Sequence, residues 1–302
     1  MRAIEVFQLE KSYKKKQVLN GINLEVNTGE IFGLLGRNGA GKSTFIHTLT
    51  GITNKTAGNF KILGFSDKQI DQIKQKIGVM PDTSNLYQHM RAIDFLKYMG
   101  KIKDEKKKNQ DYKDLLNQVG LFNVEKEKIK SFSFGMKKKI SIAQALLGNP
   151  DLVFLDEPTS GLDPESGIEI QQLIKRLKQQ GKTIFLTSHN LNEVEKICDR
   201  VAIMSEGKIV KVGTVRELKM ATNESVIIHI RTKPILDKQT ISTLINNSDS
   251  IRYLKQINDF AIFELDSEEN VPYLIDLFRE NNIKIYEIKI QEQTLEDVFM
   301  AV

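Results

Sequence analysis

Residues 36–43 read Gly36-Arg37-Asn38-Gly39-Ala40-Gly41-Lys42-Ser43. No other segment constrains the fold of this chain as tightly. Glycines let successive backbone N–H groups curl around phosphate oxygens. A helix that follows aims its positive end at the same charge. Such a loop needs a strand before it and a helix after it. The sequence supplies both: the apolar run IFGLLG leads in, and STFIHTLTG opens an amphipathic helix. Lys42 then reaches the β and γ phosphates, and the Ser43 hydroxyl is offered to Mg²⁺. A second apolar run, residues 152–155, ends in Asp156 and Glu157. A carboxylate at the end of a buried strand puts Asp156 beside the Mg²⁺ shell. Glu157 can polarise a water for attack on the γ-phosphate.

The rest of the chain is organised around these two runs. IEVFQLEKSY and VLNGINLEV alternate, which predicts antiparallel strands joined by a polar turn at residues 14–16. Residues 62–82 predict strand and loop. From about Leu86 to Leu147 the apolar spacing is helical, with a charged loop over KIKDEKKKN and a helix over ISIAQALLG. A helix over IEIQQLIKRLKQQ, the strand TIFLTS and a helix over LNEVEKIC follow. VAIMSEGKIVKVGT reads as two strands about a Glu-Gly turn. Near residue 218 the character changes. Strand, helix, strand, strand, helix, strand follow in order, then a short helix over TLEDVFMA. That order suggests a small ferredoxin-like α/β unit. The expected division is 1–217 and 218–302, with a helical subdomain at about 86–147.

A length of 302 residues predicts two domains. Lys and Arg exceed Asp and Glu only by 44 to 39, so the charge permits an anionic partner without demanding nucleic acid. No stretch approaches the ~20 apolar residues that span a bilayer. Early Glu5 and Glu10 argue against a secretion signal. The single cysteine, Cys198, excludes an internal disulfide and a multi-cysteine zinc site, and His47, His89, His189 and His229 lack metal-ligand spacing. The expectation is an intracellular, soluble protein that works at a membrane only through another chain.

Over residues 1 to about 215 the motifs and their order resemble the nucleotide-binding subunit of an ABC transporter. The resemblance implies a P-loop core with an antiparallel β subdomain and a helical subdomain, with ATP and Mg²⁺ as ligands. It implies nucleotide contacts at residues 36–43 and Thr44, and Mg²⁺ ligands at Ser43 and Asp156. Tyr13 stands where the family stacks an aromatic ring on adenine. Ser131-Phe132-Ser133-Phe134-Gly135-Met136 resembles the signature motif L-S-G-G-Q, which puts Ser133 and Gly135 against the γ-phosphate of a facing subunit. Asp163 ends the loop Ser160-Gly161-Leu162-Asp163, which communicates across the dimer. His189, after Thr187-Ser188, matches the switch histidine. The resemblance thus implies a homodimer closed over two ATP molecules.

Three positions depart from the family pattern: Phe134, Met136 and Asp82. The form F-S-x-G-M-K resembles exporters of drugs, antibiotics and peptides whose membrane subunit is of the ABC-2 type. The resemblance implies such a permease as a separate chain, with this subunit on the cytoplasmic face. Asp82 replaces a glutamine that senses metal and attacking water. A shorter charged group there either reaches Mg²⁺ through water or loosens the coupling. Leu86, Tyr87, Met90, Phe95 and Met99 are either a docking surface for the membrane subunit or core. Leu295, Val298 and Phe299, in a terminal T-L-E-D-V-F motif frequent in that branch, either pack on the small sheet or serve regulation or dimer contact. A nucleic-acid-associated ATPase is disfavoured: its only support is the lysine clusters at 14–16, 106–108 and 137–139. A binding module without hydrolysis is disfavoured because Lys42, Asp156, Glu157 and His189 are all present.

Overall fold

The alternation at the start of the chain folds as a long hairpin. β1 (Arg2–Tyr13) pairs antiparallel with β2 (Lys16–Asn27). Ile4 and Val6 of β1 and Ile22, Leu24 and Val26 of β2 point into the core with a period of two, and a register shift after Val6, with Gln8 at φ 46°, turns Leu9 inward as well. The computed structural model describes residues 1–302 except 15, 82, 106, 221–224, 246–247, 249, 292–294 and 301–302. The chain divides into two compact units, Met1–Val215 and Arg216–Ala301.

In the first unit β3 (Ile31–Leu35) feeds α1 (Lys42–Leu49), and β4 (Ala57–Ile62) and β5 (Phe65–Ser66) follow. Next come α2 (Ile70–Lys76) and β6 (Ile77–Val79). α2 lies where the pattern predicted only strand and loop. Ile73 is its one buried residue, too sparse a stripe to register as a helical period. The helical stretch holds α3 (Ala92–Ile102), α4 (Asn109–Gln118) and α5 (Phe134–Ala145). α5 begins at Phe134, earlier than the Ile140 that the apolar spacing predicted. Ser133 caps it, its Oγ accepting the Met136 N–H at 3.2 Å, and the lysines of the first turns masked the apolar period. β7 (Leu152–Asp156), α6 (Pro164–Gln179), β8 (Thr183–Ser188), α7 (Leu191–Ile197), β9 (Arg200–Ser205) and β10 (Lys208–Thr214) complete the unit.

These strands form two sheets. One is antiparallel, in the order β2-β1-β4-β5. The other runs β10-β9-β3-β8-β7-β6, parallel from β9 to β6, with β10 antiparallel at the edge. The central strands β3 and β8 are buried along their whole length. That explains why they read as unbroken apolar runs rather than alternations. Between the sheets, Phe45 of α1 meets Phe185 of β8 at 5.9 Å between ring centroids. Phe32 and Phe154 flank Phe185 at 5.7 and 5.5 Å. The phosphate loop and the ends of β7 and β8 are thus fixed to one aromatic core.

The segment proposed as docking surface or core divides. Leu86 and Phe95 are buried, Tyr87 is exposed, and Met90 and Met99 are half-buried. Tyr98, which the pattern did not single out, is exposed and meets Tyr87 edge-on at 5.6 Å.

After α8 (Val215–Met220), the second unit contains β11 (Val226–Lys233), α9 (Lys238–Ile245), β12 (Ile251–Ile257), β13 (Phe260–Leu265), α10 (Asn270–Glu280), β14 (Lys284–Gln291) and α11 (Leu295–Met300). Its sheet is antiparallel in the order β12-β13-β11-β14. Ile241 of α9 and Leu274 and Phe278 of α10 share a core with Ile228, Ile230 and Phe263 of the sheet. Leu295 and Val298 are fully buried, and Phe299 is half-buried. Among the described residues, no helix is long and apolar enough to cross a membrane.

Candidate nucleotide site

Two glycines make the loop geometry possible. At Gly36 a Cβ would stand 2.6 Å from the carbonyl oxygen of Met204, so only glycine lets β3 leave the sheet there. Gly41 precedes α1 at φ 109°, where L side chains are strained. Arg37, Asn38 and Gly39 between them are exposed, and Ala40 is buried. Ser43 is exposed in the first turn of α1, and Thr44 is half-buried beside it. Lys42 is buried and folds back over the loop. Its Nζ donates to the Gly36 carbonyl at 2.7 Å and stands 3.5 Å from Glu157 Oε1.

Glu157 leaves the end of β7, and His189 leaves the end of β8. The parallel register places Asp156 opposite Thr187. The Thr187 hydroxyl donates to the Asp156 carboxylate and accepts the Glu157 N–H at 3.0 Å. Glu157 adopts φ 48°, in the left-handed region. That conformation costs an L residue roughly 1–2 kcal/mol, so its surroundings must hold it there. They do: the Lys138 ammonium donates to the Glu157 carbonyl at 2.7 Å. The carboxylate lies between Lys42 and the His189 Nδ1, which is 2.8 Å from Oε2. A carboxylate only accepts, so in this contact Nδ1 carries the proton.

The signature residues form a second group. Ser133 is exposed at the start of α5, while Gly135 is buried close against Ser166 and Leu162. Asp163 caps α6 by accepting the Ser166 N–H at 3.0 Å. That hydrogen bond, with a further one from the Ser166 side chain, holds the Asp163 carboxyl below the usual aspartate range. Lys138 links this group to Glu157. A further link joins the segment after Glu157 to the helix after His189: Thr159 donates to the buried Glu193 carboxylate, which also accepts from Gln171 at 3.1 Å. Tyr13 ends β1 at the tip of the hairpin, where it pairs with Lys16. It is exposed, and the Lys11 ammonium lies 4.6 Å from its ring centroid. Asp82 lies outside the described residues.

Two contributors escaped the sequence reading. In the sequence Thr187 is only a neighbour of His189, and Lys138 only one of three basic residues. The signal for Lys138 was available: Gly135, Lys138, Ile142 and Ala145 are all buried and spaced as one face of a helix.

The described residues contain no cluster of three acidic, histidine or cysteine groups that could hold a metal alone. The Asp156 carboxylate and Ser43 hydroxyl are hard oxygen donors. They suit Mg²⁺, which keeps several waters and takes substrate phosphate oxygens as ligands.

A buried parallel sheet, a glycine loop at its strand end and this acid–histidine pair define a P-loop nucleotide hydrolase. The family model for ABC transporter matches residues 19–160. The linearmycin resistance ATP-binding protein LnrL of Bacillus subtilis is 34% identical over 98% of this chain and 97% of its own length. The lantibiotic transport ATP-binding protein SrtF of Streptococcus pyogenes is 38% identical over 68% of this chain and 89% of its own. A solved ATP-binding subunit of an ABC transporter superposes with a TM-score of 0.65 at 28% identity, covering 72% of this chain and 92% of that one. The ATP-binding cassette MJ0796, solved as a dimer with ADP and Pi after hydrolysis, shares the fold at a TM-score of 0.64 and 24% identity, over 70% of this chain and 98% of that one. The chain belongs to the ABC transporter family: it is an ATP-binding, ATP-hydrolysing subunit that uses ATP with Mg²⁺.

Proposed function

We propose that this subunit drives an exporter of drugs, antibiotics or peptides through a separate membrane permease of the ABC-2 type. The Phe132-Ser133-Phe134-Gly135-Met136-Lys137 form and the named roles of the linearmycin and lantibiotic relatives support the exporter branch. The chain works peripherally, on the cytoplasmic face. The groove beside Ile52, Val79, Met99, Ile102 and Leu147, of about 310 Å³, takes the permease, with exposed Tyr87 and Tyr98 on the neighbouring segment. Residues 1–217 are the nucleotide-binding domain, with 86–147 its helical part. Residues 218–302 are an accessory domain of ferredoxin-like type. The order β12-β13-β11-β14 around two helices supports that assignment.

In the chemical step Lys42 and the loop N–H groups hold the phosphates, and Tyr13 stacks on adenine. Ser43 and Asp156 would hold Mg²⁺, which would neutralise phosphate charge. Glu157 takes the proton of the attacking water, and the His189 ring, aligned by Glu157, contacts the γ-phosphate. Asp82, in place of the family's glutamine, either serves the metal through water or loosens the coupling.

One observation carries the reading. Lys42 and His189 meet Glu157 at 3.5 and 2.8 Å, while Ser133 and Phe134 are exposed at the start of α5. Each chain thus offers one phosphate-holding half and one exposed helix N-terminus, which a second copy completes. Glu157→Gln protein should therefore dimerise on adding Mg²⁺-ATP and separate without it, since ATP binds the dimer better than the monomer. Ser133→Arg should block the dimer while leaving ATP binding to the monomer largely intact. Sedimentation with and without ATP measures both. A Glu157→Gln protein that stays monomeric in saturating ATP overturns autonomous dimerisation.

A further inference from the structure

We infer that Lys138 is a positioning residue that aims the Glu157 carboxylate. The inference rests on the reading of Glu157 as general base. Lys138 sits in a run of three lysines, yet it is only 7% exposed. Lys139, its neighbour, pairs with Glu169 at 2.8 Å. Lys138 instead turns inward, and its Nζ donates to the main-chain carbonyl of Glu157 at 2.7 Å. Burying an ammonium is costly unless a strong acceptor receives it.

The acceptor is informative. Glu157 follows the last residue of β7, so it lies beyond the strand's ladder. Its backbone is at φ 48°, where long L side chains rarely rest. Its N–H and its carbonyl are each held by a side chain from another element, and the carbonyl also accepts the Ser160 N–H at 3.3 Å. Thr187 of β8 accepts its N–H at 3.0 Å, and Lys138 of α5 donates to its carbonyl. Two anchors on one residue fix its backbone, and with it the direction of the carboxylate toward Lys42 and His189. Phe134 completes the mounting. Its ring centroid lies 5.7 Å from Lys138 Nζ, and its edge packs over Gly161, where a Cβ would come within 3.1 Å of the ring. Displacing the start of α5 therefore displaces the Glu157 peptide.

The test compares Lys138→Met and Lys138→Arg with wild type in the full chain. It measures kcat for ATP, the Kd of a fluorescent ATP analogue with Mg²⁺, and the melting temperature. Misaiming a base should lower kcat about 10- to 100-fold in Lys138→Met, with Kd and melting temperature little changed. Lys138→Arg keeps a charged donor and should retain most of the rate. Normal kcat in Lys138→Met beside an inactive Glu157→Gln overturns this inference alone. Activity in Glu157→Gln overturns the general base beneath it. Parallel loss of kcat, nucleotide binding and melting temperature in Lys138→Met also overturns it, because that pattern marks a merely structural lysine. If Lys138→Met does not fold, Lys138→Gln takes its place: reduced kcat at unchanged Kd supports positioning, and wild-type kcat overturns it.

Discussion

Glu157→Gln separates binding from chemistry, and the structure says by how much. Lys42 Nζ stands 3.5 Å from Glu157 Oε1. At an effective dielectric of ~20, unit charges at that separation attract by about 5 kcal/mol before desolvation. Burial of Lys42 offsets most of this, leaving roughly 1 kcal/mol net for a pair so placed. An incoming phosphate must break that pair to capture Lys42. The amide of Gln removes the competitor while keeping the shape of the side chain. Mg²⁺-ATP should then bind Glu157→Gln about fivefold more tightly than wild type. Turnover should fall by ~10² to 10⁴, the usual value of a general base. Phosphate release at saturating ATP gives the rate, and titration of a fluorescent analogue gives the affinity. Turnover within about threefold of wild type refutes Glu157 as the base. Weaker binding than wild type refutes the competition between carboxylate and phosphate.

Other perturbations test the remaining supports. Lys42→Ala removes a buried charged donor and should weaken ATP binding by roughly 10- to 100-fold, read by the same titration. Unchanged affinity means the loop is only a turn. Phe185→Ala opens a hole among Phe32, Phe45 and Phe154 and should cost about 3–5 kcal/mol of stability, measured by urea unfolding. Asp163 has a depressed carboxyl pKa because it caps α6. Its contribution is complete above the unfolded value of ~3.9 and is lost as pH falls through the lower folded value. Asp163→Asn keeps a cap acceptor without a proton to gain, so its melting temperature should fall less than that of wild type below about pH 4. Parallel acid limbs for the two proteins refute the cap.

The parts of the site that follow from covalent spacing were legible in the sequence. The glycine loop, the acidic pair and His189 each sit at the end of an apolar run, and the runs became adjacent parallel strands. What the sequence hid depends on partners far along the chain. Thr187 matters because the register sets it opposite Asp156, and no local pattern carries that information. Lys138 stood out only as part of a basic cluster, whereas its helix, capped by Ser133 and starting at Phe134, turns it inward. α2 escaped because a short helix with one buried residue leaves almost no period.

The pairing of β7 with β8 also sets where the chain tolerates changes of length. Asp156 and Thr187 meet because residues 152–156 and 183–187 advance in step. Successive side chains of a strand point to opposite faces, so one residue lost from β8 upstream of Thr187 would bring Ser188 opposite Asp156 or reverse the facing of every later side chain. The hydroxyl that fixes Glu157 and the ring that meets it would move together. The charged stretch between α3 and α4 has no strand partner to keep in step: past Lys103, which donates to the Ile77 and Leu147 carbonyls at 3.1 and 3.0 Å, no ladder counts its residues. Related sequences aligned on this chain should show their gaps concentrated in that stretch and almost none between Leu152 and His189 on the two strands.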